Sequence, residues 1–451
     1  MKAPHNPYVE NLGQSAIVAD EMTDQTSQAG AAVAAFDLAQ SPFEQTSSFE
    51  AQSPFEPQLL AGAGAHLYPN YAQPSFVMDH GSGARLYDLS GKRYIDFFAG
   101  IAVSSLGHNH PALVRAIAEQ AGKLIHLSNY FYNEPNARLA PLLCQLCGLE
   151  RAFFCNSGTE ANEAALKLAR RYFYDQGEPD RHVVIAFDNS FHGRTMGALS
   201  VTGQAKYRTG FGPLAEVRHV PYGDLEATRA AMDGRVAAII VEPVQGEGGV
   251  IVPPLGFFSG LRKLCDESGA LLIVDEIQTG VGRTGKFLGV QHENVVPDII
   301  SLAKGLGGGV PIGAMLCTER LAKTLVPGSH GTTFGGNPLA SAAALAVVTE
   351  LTERGLMDQV GKAAHTLEQG LDALVSKHTC LVERRGRGLL QALVLRDGSQ
   401  GPAMLADLRE AGVLLTFAGG IALRITPPLV ITEQELELGL SLIDNVLGKY
   451  S

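Results

Sequence analysis

A chain of 451 residues, 45% hydrophobic and 18% charged, can bury a large core in one or two globular domains. Its formal net charge of −11 argues against a nucleic-acid partner, which would call for a basic face. No apolar run approaches the roughly 18 residues that span a bilayer, and the longest, from Gly412 to Leu423, is short and broken by glycine, so no membrane partner is expected either.

Residues 1–65 differ from everything after them. They carry eight acidic residues against one base, Lys2, and are dominated by Gln, Ser, Ala and Thr. The string Gln40-Ser41-Pro42-Phe43-Glu44 recurs as Gln52-Ser53-Pro54-Phe55-Glu56. Such a segment buries too little apolar surface to offset its ordering entropy, so a disordered acidic and polar extension is expected over 1–65. The repeat reads as a spacer, with a docking motif for a partner as the alternative. The segment lacks the Arg-rich character of a transit peptide and the basic start and apolar run of a secretory signal. Six cysteines in so long a chain make no disulfide framework, and a reduced, cytoplasmic setting is the expectation.

From about Leu67 the texture becomes that of an α/β protein. Leu86-Tyr87-Asp88 and Tyr94-Ile95-Asp96-Phe97, split by Ser90-Gly91-Lys92, predict a β-hairpin. His108 and His110 have no third ligand nearby and read as a turn and helix cap, so no metal is expected. Cys144 and Cys147 form a C-x-x-C pair, but at i, i+3 on an apolar helical pattern they read as packing.

Cys155-Asn156-Ser157-Gly158-Thr159-Glu160 precedes the helical run 161–174, with Ser157 and Glu160 at capping-box spacing. The free N–H groups and positive dipole end of such a helix form a ready anion site, suited to a phosphate. Continuous apolar runs then alternate with helical patterns, at 182–187, 236–241, 271–274, 298–302 and 312–317. They predict a largely parallel sheet covered on both faces.

Ligands of open parallel sheets bind beyond the carboxyl ends of the strands. The residues there are Phe191-His192-Gly193-Arg194, Glu242 through Glu247, Asp275-Glu276-Ile277-Gln278 and Lys304-Gly305-Leu306-Gly307. A desolvated lysine after an apolar strand holds its proton less tightly and can attack an aldehyde. A carboxylate such as Asp275 can keep a pyridine nitrogen protonated, so that the ring accepts electrons from a carbanion. Gly280-Val281-Gly282-Arg283-Thr284-Gly285 matches a dinucleotide fingerprint and, with Lys286, nearly a phosphate-binding loop. Phe287 stands where that loop needs Ser or Thr, and no convincing helix follows, so both readings are set aside. From about 355 an amphipathic helix and short strands suggest a second, smaller α+β unit.

The chain from about Leu67 to Tyr450 resembles the class III (subgroup II) aminotransferases of fold type I, most closely their acetylornithine and succinylornithine members. The matching strings begin Asn156-Ser157-Gly158-Thr159-Glu160, Phe191-His192-Gly193-Arg194, Asp275-Glu276-Ile277-Gln278, Leu302-Ala303-Lys304, Thr332-Thr333-Phe334 and Arg424-Ile425-Thr426. The resemblance implies a large pyridoxal-phosphate-binding domain over 126–354, with a mostly parallel central sheet flanked by helices. It implies a smaller α+β domain built from 66–125 and 355–451.

It further implies pyridoxal 5′-phosphate as cofactor, carried as a Schiff base on Lys304, with Lys304 also moving the substrate proton. Asp275 would pair with the pyridine nitrogen, Gln278 lie near the ring hydroxyl and Phe191 stack on the ring. Ser157, Gly158 and Thr159 would hold the phosphate, with Thr333 reaching it from the neighbouring subunit of a homodimer. Arg194, with Glu242 nearby, would bind the donor carboxylate, and Thr332 would be a further substrate-binding residue. Arg424, gated by Glu247, would take the carboxylate of 2-oxoglutarate. Ile101 resembles the acylornithine and aminobutyrate enzymes, whereas Ser104 departs from the Asn of many acetylornithine enzymes. Phe131 and Tyr132 are expected to line the same end of the pocket. The expected reaction is ping-pong amino transfer from N2-acetylornithine to 2-oxoglutarate, in arginine biosynthesis. The alternatives are a succinylornithine, ornithine or 4-aminobutyrate donor, or a non-catalytic binding protein of the same fold.

Overall fold

The computed structural model describes residues 56–451, so the repeated motif up to Phe55, and the extension before Glu56, lie outside the described residues. Residues 56–65, expected to be disordered, form part of a helix, Glu56–His66. Composition averaged over the whole extension hides a short stretch whose Leu and Ala residues favour helix. The Glu56 carboxylate accepts a hydrogen bond from the Val77 N–H at 2.8 Å and so ties the helix start to the following chain.

The predicted hairpin is present. Strands β1 (Met78–Ser82), β2 (Arg85–Asp88) and β3 (Arg93–Asp96) pair antiparallel in sequence. Val413–Leu414 (β13 in chain order) joins β3 in parallel from far along the sequence.

Seven strands build the central sheet. They are β4 (Arg151–Cys155), β5 (Val183–Phe187), β6 (Val217–Val220), β7 (Val236–Val241), β8 (Leu271–Asp275), β9 (Ile299–Leu302) and β10 (Gly313–Cys317). Their spatial order is β4-β10-β9-β8-β7-β5-β6. β10 runs antiparallel to both its neighbours, and the pairs from β9 to β6 are all parallel. β4 therefore points the same way as the parallel strands, and its end reaches the same edge.

The apolar runs are continuous because both faces are covered. Ile185, Phe187, Ile239, Leu272 and Ile300 join one buried cluster, while Val184, Ala186, Ile240, Ile273 and Ile299 join another. This is the period-two alternation of a strand sandwiched between two layers. A third sheet follows the amphipathic helix Leu356–Lys377, as expected. It consists of β11 (Leu381–Arg387), β12 (Leu390–Leu395), β14 (Thr416–Ala418) and β15 (Ala422–Ile425), in the order β11-β12-β15-β14.

The glycine-rich 280–285 segment runs through turns into a 3₁₀ helix, Gly289–Glu293, without the α-helix that a nucleotide loop requires. Arg283 from this segment is buried and donates to the Leu389 and Pro427 carbonyls, a structural use. His108 bonds the buried Asp96 carboxylate through Nε2 at 2.7 Å. Cys144 and Cys147 lie on the helix Glu134–Cys147 with Cys147 buried, and both thiols are free. Among the described residues no helix is long and apolar enough to cross a membrane.

Candidate active site

A cavity of about 400 Å³ opens at the carboxyl edge of the central sheet. Its walls include Ser157, Gly158 and Thr159 on one side and Phe191 and Arg194 on another. Asn156, His192, Glu242, Glu247, Asp275, Gln278 and Lys304 are also part of the lining. The sheet order explains the convergence: β7, β8 and β9 are adjacent, and each ends in one of these residues or leads into one.

Asp275, the last residue of β8, is 3% exposed and tightly held. Its Oδ2 accepts from Asn162 Nδ2 and from His192 Nδ1, both at 2.7 Å, and its Oδ1 accepts from the Ile277 N–H at 3.0 Å. The Asn162 amide also donates to the His192 carbonyl at 2.7 Å, locking the two partners to each other. Burial pushes the His192 imidazolium down, but the bond to Asp275 and its charge outweigh burial, and the net shift is upward.

Lys304 follows β9 with φ +43, in the left-handed region that a non-glycine residue rarely occupies. Burial, joined by the Arg424 charge, pulls its ammonium below the ordinary lysine value, against the carboxylates of Glu247, Asp275 and Glu242. An amine that gives up its proton more readily is a better nucleophile, as the sequence suggested.

The helix Gly158–Asp175 starts where the capping signal placed it, with the Glu160 N–H donating to Ser157 Oγ at 3.3 Å. The reciprocal bond goes one residue further back, from the Asn156 N–H to Glu160 Oε2 at 2.7 Å. Thr159 Oγ1 meets Thr195 Oγ1 at 2.8 Å at the same cavity wall. Gly158 has no room for a side chain: a Cβ would sit 2.7 Å from Ile277 Cδ1.

Arg194 stacks its guanidinium over the Tyr207 ring at 3.9 Å and over Phe191 at 5.4 Å. Tyr207 in turn stands edge-on to Phe191, with ring centres 5.8 Å apart. The Phe191 N–H donates to Glu242 at 2.9 Å. Burial raises the Glu242 carboxyl to about 7, countered by His192, the Phe191 bond and Lys304.

Arg424, on β15, does not line the cavity itself but grips residues that do. Its Nη1 donates to Glu247 Oε1 at 2.5 Å and to Gln278 Oε1 at 3.1 Å. Burial pushes the Glu247 carboxyl up, yet the charges of Arg424 and Lys304 and these bonds bring it below the ordinary value. Gln278 also donates weakly to Glu247 at 3.4 Å, so it belongs to this pair as well as to the lining.

Thr332, Thr333 and Ile101 stand apart from the lining. Thr332 Oγ1 accepts from the lining residue Asn156 at 3.4 Å, whereas Thr333 is exposed. Ile101 is 38% exposed, within a run of four positive-φ residues, Ala99 to Ala102. The buried Asp96 carboxylate holds the entry to that turn through the Phe98 and Ala99 N–H groups. Phe131 and Tyr132 are exposed. Sequence reasoning gave no role to Asn162, His192, Tyr207 or Thr416. The first two lie inside strings that were read, but only the folded chain shows which carboxylate they reach.

This donor set fits pyridoxal phosphate. It offers helix N–H groups for a phosphate, the Phe191 ring, a caged carboxylate for a ring nitrogen, and the Lys304 amine on the same cavity.

The class III aminotransferase family model matches residues 67–447. An acetylornithine aminotransferase of Myxococcus xanthus is 52% identical over 84% of this chain and 95% of its own length. Among solved structures, ornithine aminotransferase of Toxoplasma gondii superposes with a TM-score of 0.84 at 36% identity, covering 89% of this chain and 96% of that one. A second structure of that enzyme, crystallised with oxidised glutathione, has the same score and identity and 89% and 95% coverage, and shows pyridoxal phosphate at partial occupancy in its active site. N-acetylornithine aminotransferase of Stenotrophomonas maltophilia gives a TM-score of 0.75 at 39% identity, covering 86% and 98%.

Proposed function

The chain belongs to the class III aminotransferases, a pyridoxal-phosphate-dependent family, and from that premise we propose that it moves the terminal amino group of N2-acetylornithine to 2-oxoglutarate. The products are N-acetylglutamate 5-semialdehyde and glutamate, a step of arginine biosynthesis. The observation that carries this reading is two arginines of different freedom, one lining the cavity and one bonded to residues that line it. Arg194 lies open beside Phe191, and Arg424 is masked by Glu247.

Pyridoxal phosphate, when bound, supplies an aldehyde for the amine and a ring that accepts electrons from the substrate carbon. Ser157, Gly158 and Thr159 would hold its phosphate, Phe191 its ring face, Asp275 its ring nitrogen and Lys304 its aldehyde carbon; Gln278 would approach the ring hydroxyl. Asn162 and His192 fix the Asp275 carboxylate in place. Lys304 Nζ, its proton loosened by burial, takes and returns the substrate proton.

Arg194 binds the α-carboxylate of the donor, with Glu242 beside it and Thr332 and Ile101 towards the acyl end. While the donor reacts, Glu247 keeps Arg424 neutralised. When 2-oxoglutarate enters, Glu247 gives way, and Arg424 takes a carboxylate in a charge-assisted bond. One cavity thus accepts two unlike substrates in turn.

Thr333 acts on the phosphate of a partner subunit in a homodimer. Support comes from its neighbourhood: Phe334 is 58% exposed, and Tyr130, Phe131 and Tyr132 are exposed as well, an apolar surface suited to a second copy. The division into 126–354 and a smaller part from 66–125 and 355–451, and a cytoplasmic location, belong to the same reading. Incubation with N2-acetylornithine and 2-oxoglutarate tests it: glutamate should form mole for mole with the semialdehyde. Absence of glutamate would sink the proposal.

A second reading is favoured by one observation, the higher superposition score of the ornithine enzyme than of the N-acetylornithine one. In it the donor is ornithine or another ω-amine, such as succinylornithine or 4-aminobutyrate, and the chemistry is unchanged.

A further inference from the structure

Arg424 has a third side-chain partner, away from the cavity. Its Nε donates to Thr416 Oγ1 at 3.1 Å. The two residues are direct cross-strand partners, Thr416 on β14 and Arg424 on β15, so the sheet register sets the contact. Thr416 does not line the cavity that holds Lys304. It lies instead on a separate hollow of about 790 Å³, formed with Phe98, Leu414, Leu415 and the helix Glu56–His66.

A guanidinium is planar and rigid, so two bonds at different nitrogens fix its plane. In Arg424 two bonds, from Nη1 to Glu247 and Gln278, reach residues that line the cavity, and a third, from Nε to Thr416, reaches one that does not. When Glu247 leaves, its bond is lost, and Arg424 keeps Gln278 on Nη1 and Thr416 on Nε as side-chain partners. Of these two, the Thr416 bond is the one at Nε, and without it the remaining contact at Nη1 alone does not fix the guanidinium plane.

We propose that Thr416 is a positioning residue for the second substrate, holding Arg424 in the plane that meets the incoming carboxylate while Glu247 is displaced. This rests on the reading of Arg424 as the oxo-acid carboxylate site. It predicts a selective effect: the oxo acid feels the loss of Thr416, and the donor does not.

The test uses the holoenzyme with Thr416→Val, which keeps the shape and strand preference but loses the acceptor, and Thr416→Ser, which retains it. Glutarate, a dicarboxylate that cannot react, serves as the binding probe by calorimetry, alongside KM for both substrates. Thr416→Val should weaken glutarate and raise the 2-oxoglutarate KM by about tenfold, the loss expected for a bond to a charged group. The donor KM should stay within twofold, and Thr416→Ser should behave as the parent. A donor KM that rises together with the oxo-acid KM overturns the inference, because that is what a merely structural residue would give. Arg424→Gln separates the two levels. If it weakens glutarate while Thr416→Val does not, Thr416 has no such role and the Arg424 reading stands. If Arg424→Gln also leaves glutarate unchanged, the reading of Arg424 falls and the inference with it.

Discussion

Arg424 Nη1 and Glu247 Oε1 meet at 2.5 Å, but the two side chains differ in freedom: the arginine is 2% exposed and the glutamate 23%. The buried partner is anchored by β15 and by two further side chains, Thr416 and Gln278, so the carboxylate is the freer half of the proposed gate. Removing its charge should relieve the competition with an incoming substrate. Glu247→Gln is expected to lower the 2-oxoglutarate KM by roughly threefold, a modest figure because the pair is partly solvated. Initial rates at fixed donor check this, and an unchanged or higher KM would contradict it.

Asp275 depends on two buried donors, Asn162 and His192. Asn162→Ala removes one of the 2.7 Å bonds to Oδ2. A hydrogen bond to a charged group is worth about 1.5–3 kcal/mol, so kcat should fall at least about tenfold. Both KM values should hold within about twofold, since neither carboxylate-binding arginine is disturbed. Steady-state kinetics on both substrates distinguishes this from general damage, which would move all three constants.

Tyr207 supports Arg194 through a face contact at 3.9 Å. Tyr207→Leu keeps bulk and loses the ring face, and a cation–π contact of this kind is worth about 0.5–1 kcal/mol at a part-exposed site. The donor KM should rise by about two- to fivefold, with the 2-oxoglutarate KM unchanged. The opposite selectivity would place the donor carboxylate elsewhere.

Glu242 gives a stability signature. Its carboxyl is raised from 4.5 to about 7 in the folded state, so the unfolded chain ionises first as pH rises. The folded protein then binds the extra proton, and stability falls between about pH 4.5 and 7. The stabilisation is complete below the lower value, lost on rising through the upper one, and amounts to about 3 kcal/mol at most. Glu242→Gln can still accept from the Phe191 N–H and removes the titration. Its Tm should therefore gain on the parent as pH goes from 5 to 8; a Tm difference independent of pH contradicts the assignment.

Much of the site was legible because it is written locally. Asp275 and Lys304 stand at the ends of apolar strands, and the Ser157 cap precedes a long helical run. Each of these needs only a short window of sequence. The remainder depends on contacts between distant segments. Asn162 reaches Asp275 across 113 positions, and Arg424 reaches Glu247 across 177. The Arg424–Glu247 pairing was foreseen only through family resemblance, and the Thr416 contact follows from the β14–β15 register, which no local pattern fixes. The left-handed run from Ala99 to Ala102 was also invisible, since only Gly100 among the four prefers that conformation. The helix Glu56–His66 was missed because a mean over 65 residues outweighed eleven.

The central claim is the identity of the amino donor. The most direct measurement is kcat/KM with 2-oxoglutarate across N2-acetylornithine, succinylornithine, ornithine and 4-aminobutyrate. The account predicts that N2-acetylornithine exceeds ornithine and 4-aminobutyrate by tenfold or more, about 1.4 kcal/mol of transition-state discrimination, within reach of a few pocket contacts. A higher value for ornithine or 4-aminobutyrate would contradict it.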